Sequence, residues 1–202
     1  MGDNIGAVVL AAGLSRRMGL AKLALPWGST TVIGAVVEAL KRGGASPVVV
    51  VTGGHQDKVQ EALRGSGAVL AHNPRYSDSE MLASLQYGLN DPTVALCQAV
   101  LVALGDQPQI LPEVVGQVMQ AYLAGQGSLI APSYQMRRGH PWLIHRSLWP
   151  EILAMDSRQE SLRDFLKRHA DHIHYVLVDT PSIFKDLDTP EDYQAERPPH
   201  GS

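Results

Sequence analysis

Apolar residues fall along this chain in short blocks of two kinds, and the kinds alternate. Some are unbroken runs of strand length: Ile5 to Ala11, Pro47 to Thr52 and Ala99 to Leu104. A strand apolar at successive positions is covered on both faces, as in a parallel sheet flanked by helices. Other blocks keep helical spacing. Val32, Ile33, Val36, Val37 and Leu40 follow a capping Thr30 or Thr31 and stop at Gly43-Gly44. The pattern continues with a polar-faced helix from about Gln56 to Leu63 and a third strand at Ala68 to Ala71, then a turn at His72-Asn73-Pro74. A helix from near Ser79 runs through Met81, Leu82, Leu85 and Leu89. Another opens at Leu111-Pro112-Glu113 and reaches about Leu123, and Ser128 to Ala131 is a fifth strand.

Past that point the periodicity weakens. Tyr134 to His145 reads as an irregular excursion, hairpin-like, around Arg137-Arg138-Gly139-His140-Pro141. Short helices are expected near Ser147 to Met155 and Glu160 to His169, and a strand at His172 to Val178. Asp186 to Asp192 reads as a turn into a last helix with Pro190 at its first position. Strand and helix alternation predicts an α/β fold with a doubly wound, mostly parallel sheet. One domain is expected over residues 1–195, with a polar, Pro-containing tail at 196–202 lacking fixed structure. Ligands of such sheets bind beyond the carboxyl ends of the strands. That rule gathers the loop after Leu10, Gly53-Gly54, Asn73 and Asp106 onto one edge.

Composition narrows the chemistry. The 202 residues carry a net charge of −3, which gives no reason to expect nucleic acid or an anionic membrane as partner. Basic residues cluster only locally, at Arg16-Arg17 and Arg137-Arg138, which suits a small anionic ligand. The single cysteine, Cys97, lies in an apolar run and is expected to be a core thiol. The amino terminus has no signal-peptide pattern, and no apolar run reaches the roughly 18 residues of a membrane span, so a cytoplasmic protein is expected.

The stretch from Val8 to Lys22 carries the main chemical signal. A buried strand empties at Gly13 into a loop with Arg16, Arg17 and then Lys22. Small residues let backbone N–H groups approach phosphate oxygens, and the cations balance a triphosphate's charge. The glycine spacing is not that of a dinucleotide loop, and Leu23 follows Lys22 where a Walker A loop needs Ser or Thr. Asp106, in the turn after the fourth strand, is either a Mg²⁺ ligand or a turn aspartate. Asp188 is either a second ligand or the cap of the helix that follows. His140 is a candidate for an anionic or heteroaromatic substrate, or an exposed loop histidine. His169, His172 and His174 are expected to be solvated rather than metal-bound.

The segment from Leu10 to Gly19, with Lys22 and Leu25-Pro26-Trp27-Gly28, resembles the signature of the molybdenum-cofactor guanylyl- and cytidylyltransferase family. Asn73-Pro74, Met81, Ser84, Gly88, then Gly105-Asp106-Gln107-Pro108, Arg138-Gly139-His140-Pro141 and Asp188-Thr189-Pro190-Glu191-Asp192 follow in the family's order. The resemblance implies a Rossmann-like nucleotidyltransferase fold and transfer of a nucleoside monophosphate with release of pyrophosphate. It implies nucleotide contacts at Leu10, Ala11, Ala12, Gly13, Arg17, Lys22, Thr52, Gly53, Asn73, Ser84 and Gly105. Arg17, Lys22 and Asp106 would carry catalysis, Asp106 and Asp188 would bind Mg²⁺, and Arg138 and His140 would face the acceptor. The methyl of Ala12 stands where guanylyl members resemble glycine, which favours a pyrimidine and hence CTP. The implied acceptor is a molybdopterin-type cofactor, with a molybdenum hydroxylase receiving the product. Glu80 stands before Met81 where the family typically has glycine, which keeps a sugar or polyol phosphate acceptor in view. GTP as the donor stays open too, as does a non-catalytic carrier of the cofactor.

Overall fold

A computed structural model describes residues 4–13, 21–76 and 81–198. The expectations for Arg16, Arg17, Ser79, Glu80 and residues 199–202 lie outside the described residues. The strands are β1 (Ile5–Ala11), β2 (Pro26–Trp27), β3 (Thr30–Thr31), β4 (Val48–Thr52), β5 (Val69–His72), β6 (Ala99–Leu104), β7 (Leu129–Tyr134), β8 (Arg137–Arg138), β9 (Trp142–His145) and β10 (Ile173–Leu177). The helices are α1 (Val32–Arg42), α2 (Gln56–Ala62), α3 (Met81–Leu89), α4 (Pro112–Leu123), α5 (Trp149–Ala154), α6 (Leu162–Arg168) and α7 (Pro190–Glu196).

The main sheet runs β10-β7-β9-β6-β1-β4-β5, with β8 folded back onto β7. β1 lies between β6 and β4 and is parallel to both. Its continuous apolar run is divided by the pleat. Ile5, Ala7, Val9 and Ala11 join a core with α1 and α4, while Val8 and Leu10 join a second core with α3, α5 and α6. All seven β1 residues are buried, as a strand covered on both faces requires. α1 begins where the Thr31 hydroxyl accepts from the Gly34 N–H, and its apolar positions face the first core. Gly88 on α3 lies against Val8 and Val51, where a side chain would collide with both valines, so the helix can sit close on the sheet.

Three expectations are corrected. The stretch read as irregular contains β9, an internal strand antiparallel to both β6 and β7. It is four residues long and follows Pro141, so its own pattern is faint; pairing Leu143 with Leu101 and Ile130 supplies its burial. β7 is longer than expected and includes Pro132. This is tolerated because the β9 pairing ends at Ile130, and Pro132 O accepts from Gly139 N–H at 3.0 Å. Glu196 belongs to α7 rather than to the tail. Its carboxylate accepts from Lys185 and from Gln109, each at 3.0 Å.

Candidate active site

The carboxyl ends of β1 and β6 lie side by side, with Leu10 opposite Leu104. A cavity of about 320 Å³ opens there, lined by Leu10, Ala11, Ala12, Gly13, Lys22 and Asp106, among others. Ser84 on α3 also faces it, as do Leu23, Tyr76, Met81 and Leu104. Thus the apolar strand end expected to meet a nucleotide does form the wall of a cavity. The other nucleotide candidates stand behind that wall. Gly53 packs on Ala12 so closely that a side chain would run into the Ala12 backbone. Gly105 is held by its N–H to Leu10 O at 3.0 Å. Thr52 and Asn73 are buried; Thr52 Oγ1 donates to Ala71 O, and Asn73 Nδ2 donates to Ser84 Oγ at 3.2 Å. These four residues shape the pocket and orient Ser84 rather than line it.

At one side of the cavity three oxygens converge on a cation. Lys22 Nζ donates to Asp106 Oδ2 at 2.7 Å and to Leu187 O at 2.7 Å, and stands 3.5 Å from Asp188 Oδ1. Chain folding brings them together in two steps. Parallel pairing of β1 with β6 sets the turn of Asp106 beside the 10–13 segment. The 186–188 segment then returns from far along the chain, with Leu187 N–H donating to Asp106 O at 3.0 Å and Gln107 Nε2 to Asp186 Oδ1 at 2.6 Å. Asp188 is not the helix cap. Thr189 caps α7, in a reciprocal pair with Asp192, which leaves the Asp188 carboxylate turned to Lys22. Two carboxylates, Asp106 and Asp188, thus face the Lys22 ammonium, and Asp186 lies near them bonded to Gln107. The Asp186 carboxyl is pushed above its ordinary value, by burial first and then by the charges of Asp106 and Asp188.

A divalent cation fits this donor set. Among the described residues no trio of His, Cys, Asp or Glu is arranged around a metal position. Mg²⁺, however, is commonly held by one or two carboxylates, with substrate phosphates and water completing its shell. Asp106, Asp188 and the Leu187 carbonyl are all oxygen donors, and the Lys22 ammonium lies among them.

Arg138 and His140 do not line the cavity. They belong to a ledge built on the irregular segment 134–142. The His140 ring stacks on Trp142, with centroids 4.3 Å apart, and the Arg138 guanidinium lies over the same indole. Arg137 lies over Phe184 at 4.2 Å. Burial, and then the neighbouring Arg138 charge, push the His140 pKa down to about 3, so the imidazole is neutral at pH 7. His140 N–H donates to Ile183 O at 2.7 Å, and Gly139 packs against Ile183 with no room for a side chain. The ledge is therefore tied to the segment that continues into Leu187 and Asp188.

The remaining candidates are structural. Cys97 is buried, and burial raises its thiol pKa. His169 is not simply solvated: its Nε2 lies 2.7 Å from Glu151. His172 is exposed. The residues that sequence reasoning passed over are Tyr76, Asp186 and the Leu187 carbonyl. Only Asp186 left a trace, as the first of two aspartates alternating before Thr189.

The MobA-like NTP transferase domain model matches residues 7–173. A nicotine blue oxidoreductase from Paenarthrobacter nicotinovorans is 29% identical over 95% of this chain and 97% of its own length. A molybdenum cofactor cytidylyltransferase from Escherichia coli K12 is 25% identical over 94% and 93% of the two chains. Among solved structures, a nucleotidyl transferase from Methanothermobacter thermautotroptrophicus has a TM-score of 0.79 and 27% identity, and 97% of each chain is covered.

Proposed function

The chain belongs to the MobA-like NTP transferase family, and from that membership we propose that it transfers a cytidylyl group from CTP to the terminal phosphate of a molybdopterin-type cofactor. It is a nucleotidyltransferase. An acceptor phosphate oxygen attacks the α-phosphorus, the bond from that phosphorus to the bridging oxygen breaks, and pyrophosphate leaves. No protein nucleophile is needed; positioning and charge neutralisation carry such transfers.

The observation that carries the reading is the convergence of Lys22, Asp106 and Asp188 beside a cavity walled by residues 10–13. Lys22 supplies a positive charge at the cavity, where phosphate charge must be balanced. Asp106 and Asp188 are the residues that would hold Mg²⁺, which when bound neutralises charge on phosphate oxygens. Arg17 is assigned to the outer phosphates on the family resemblance. The Ala12 methyl narrows the cavity beside the base and favours a pyrimidine, and Ser84 offers a hydroxyl on the same wall. On the ledge, Arg138 brings a cation and His140 a neutral ring to a phosphorylated heteroaromatic acceptor. A reaction that consumes CTP and supplies a molybdenum hydroxylase belongs in the cytoplasm; among the described residues no helix is long and apolar enough to cross a membrane.

The test is direct. The protein is incubated with molybdenum cofactor, Mg²⁺ and each nucleoside triphosphate, and pyrophosphate and the dinucleotide product are measured. CTP should give the most product. Equal or greater turnover with GTP sinks the cytidylyl assignment, and turnover only with a sugar or polyol phosphate moves the acceptor. Ligand binding without turnover leaves a carrier. Because one relative bears an oxidoreductase's name, NADH and NADPH oxidation is measured in parallel; redox turnover without pyrophosphate would overturn the transferase reading for this chain.

A further inference from the structure

The oxygen cradle that suits a divalent cation is filled by this chain's own ammonium. Lys22 Nζ uses Asp106 Oδ2 and Leu187 O at 2.7 Å each and faces Asp188 Oδ1 at 3.5 Å. An ammonium has three donors and no acceptor, and here it faces three oxygens. A metal on the same oxygens would put two cations within a few ångströms, so Lys22 and the metal exclude one another. The lysine's backbone is packed in place: Ala21 and Leu23 are buried on either side, and Lys22 O accepts from Leu25 N–H at 3.1 Å. Its four-carbon stem is not so constrained, and Lys22 also lines the cavity. Rotation about the stem carries the ammonium from the carboxylates into the cavity without moving the backbone.

We propose that Lys22 is a displaceable plug: it occupies the cation cradle of the nucleotide-free protein, and a triphosphate in the cavity draws it off and so opens the cradle to metal. The proposal rests on the reading above that Asp106 and Asp188 take a divalent cation. It goes beyond that reading by making metal binding conditional on nucleotide. A metal ion then does not occupy the site ahead of the nucleotide, and each ligand tightens the other by the same factor.

Free Mn²⁺ is measured by electron paramagnetic resonance in titrations of wild type and Lys22→Met, with and without a non-hydrolysable α,β-methylene analogue of CTP. Without nucleotide, Lys22→Met should bind Mn²⁺ about 10-fold more tightly than wild type, within the usual range of such couplings. The analogue should tighten Mn²⁺ binding more in wild type than in the variant. Equal nucleotide-free affinities overturn the plug. Asp106→Ala added to Lys22→Met should abolish the tight Mn²⁺ site; if it does not, the cradle reading itself fails. A second measurement needs no variant. The Lys22 ammonium resonance of wild type, followed by NMR, should move when the analogue and Mg²⁺ are added together. It should stay in place when Mg²⁺ is added alone at the concentration that saturates the nucleotide-bound protein, and movement under that condition overturns the proposal.

Discussion

Lys22 and Asp106 are 84 positions apart in sequence and 2.7 Å apart in space. Asp106→Ala should lower pyrophosphate release at least ~10²-fold, as loss of a charge-stabilising metal ligand does. Unchanged melting with near-normal turnover would remove Asp106 from the site. His140 makes a pH prediction. Its folded pKa lies near 3, below the ordinary 6.5, so between those values the unfolded chain binds a proton that the folded chain refuses. Stability is therefore lost as pH falls below about 6.5. Urea unfolding at pH 7 and pH 5 should show wild type losing more stability than His140→Gln; equal losses would mean that the imidazole is charged in the folded state. Residues with side-chain chemistry at a strand end, such as Asp106 and Lys22, were legible in sequence. Leu187 was not, because it contributes a main-chain carbonyl and its buried side chain says nothing of that.

At the scale of elements, α7 is the arm that presents Asp188. The Thr189 hydroxyl accepts from Asp192 N–H, and Asp192 Oδ2 accepts from the N–H groups of Asp188 and Thr189 at 3.2 and 2.8 Å. The Thr189 side chain first, and then the N–H groups of Thr189 and Asp188, hold the Asp192 carboxyl below its ordinary value. Thr189→Ala should cost about 1 kcal/mol, a melting shift of roughly 2–4 °C for a chain this size. It should also weaken Mn²⁺ binding to the nucleotide-bound protein, since Asp188 loses its fixed backbone; unaltered metal affinity would separate the cap from the site. Elements with a full period were legible: β1, α1 and β6 are where the pattern puts them. β8 and β9 were not. The hairpin between β7 and β8 turns on Gln135 and Met136, both at positive φ, where the usual signal is glycine or asparagine.

For the whole molecule, the parallel strands were readable, β7 and β10 included, and the antiparallel β9 between β6 and β7 was not, because an inserted strand owes its place to neighbours rather than to its own period. The edge that gathers the site follows from the parallel strands alone, where the carboxyl ends of β1 and β6 lie side by side. Mg²⁺ with CTP at 100 times its dissociation constant should stabilise the native state by about 2.7 kcal/mol, roughly 5–10 °C in melting temperature. GTP giving the larger shift would reverse the base preference argued from Ala12. One further consequence comes from the return of the 186–188 segment. Lys22 precedes Leu187 by 165 residues, so at ~5–20 residues per second the ribosome exposes the lysine roughly 8–33 s before its carbonyl partner exists. During that interval the strands can pair while no assembled cradle is present to hold a cation. The order of synthesis thus delays the contact between Lys22 and the Leu187 carbonyl until nearly the whole sheet has been made.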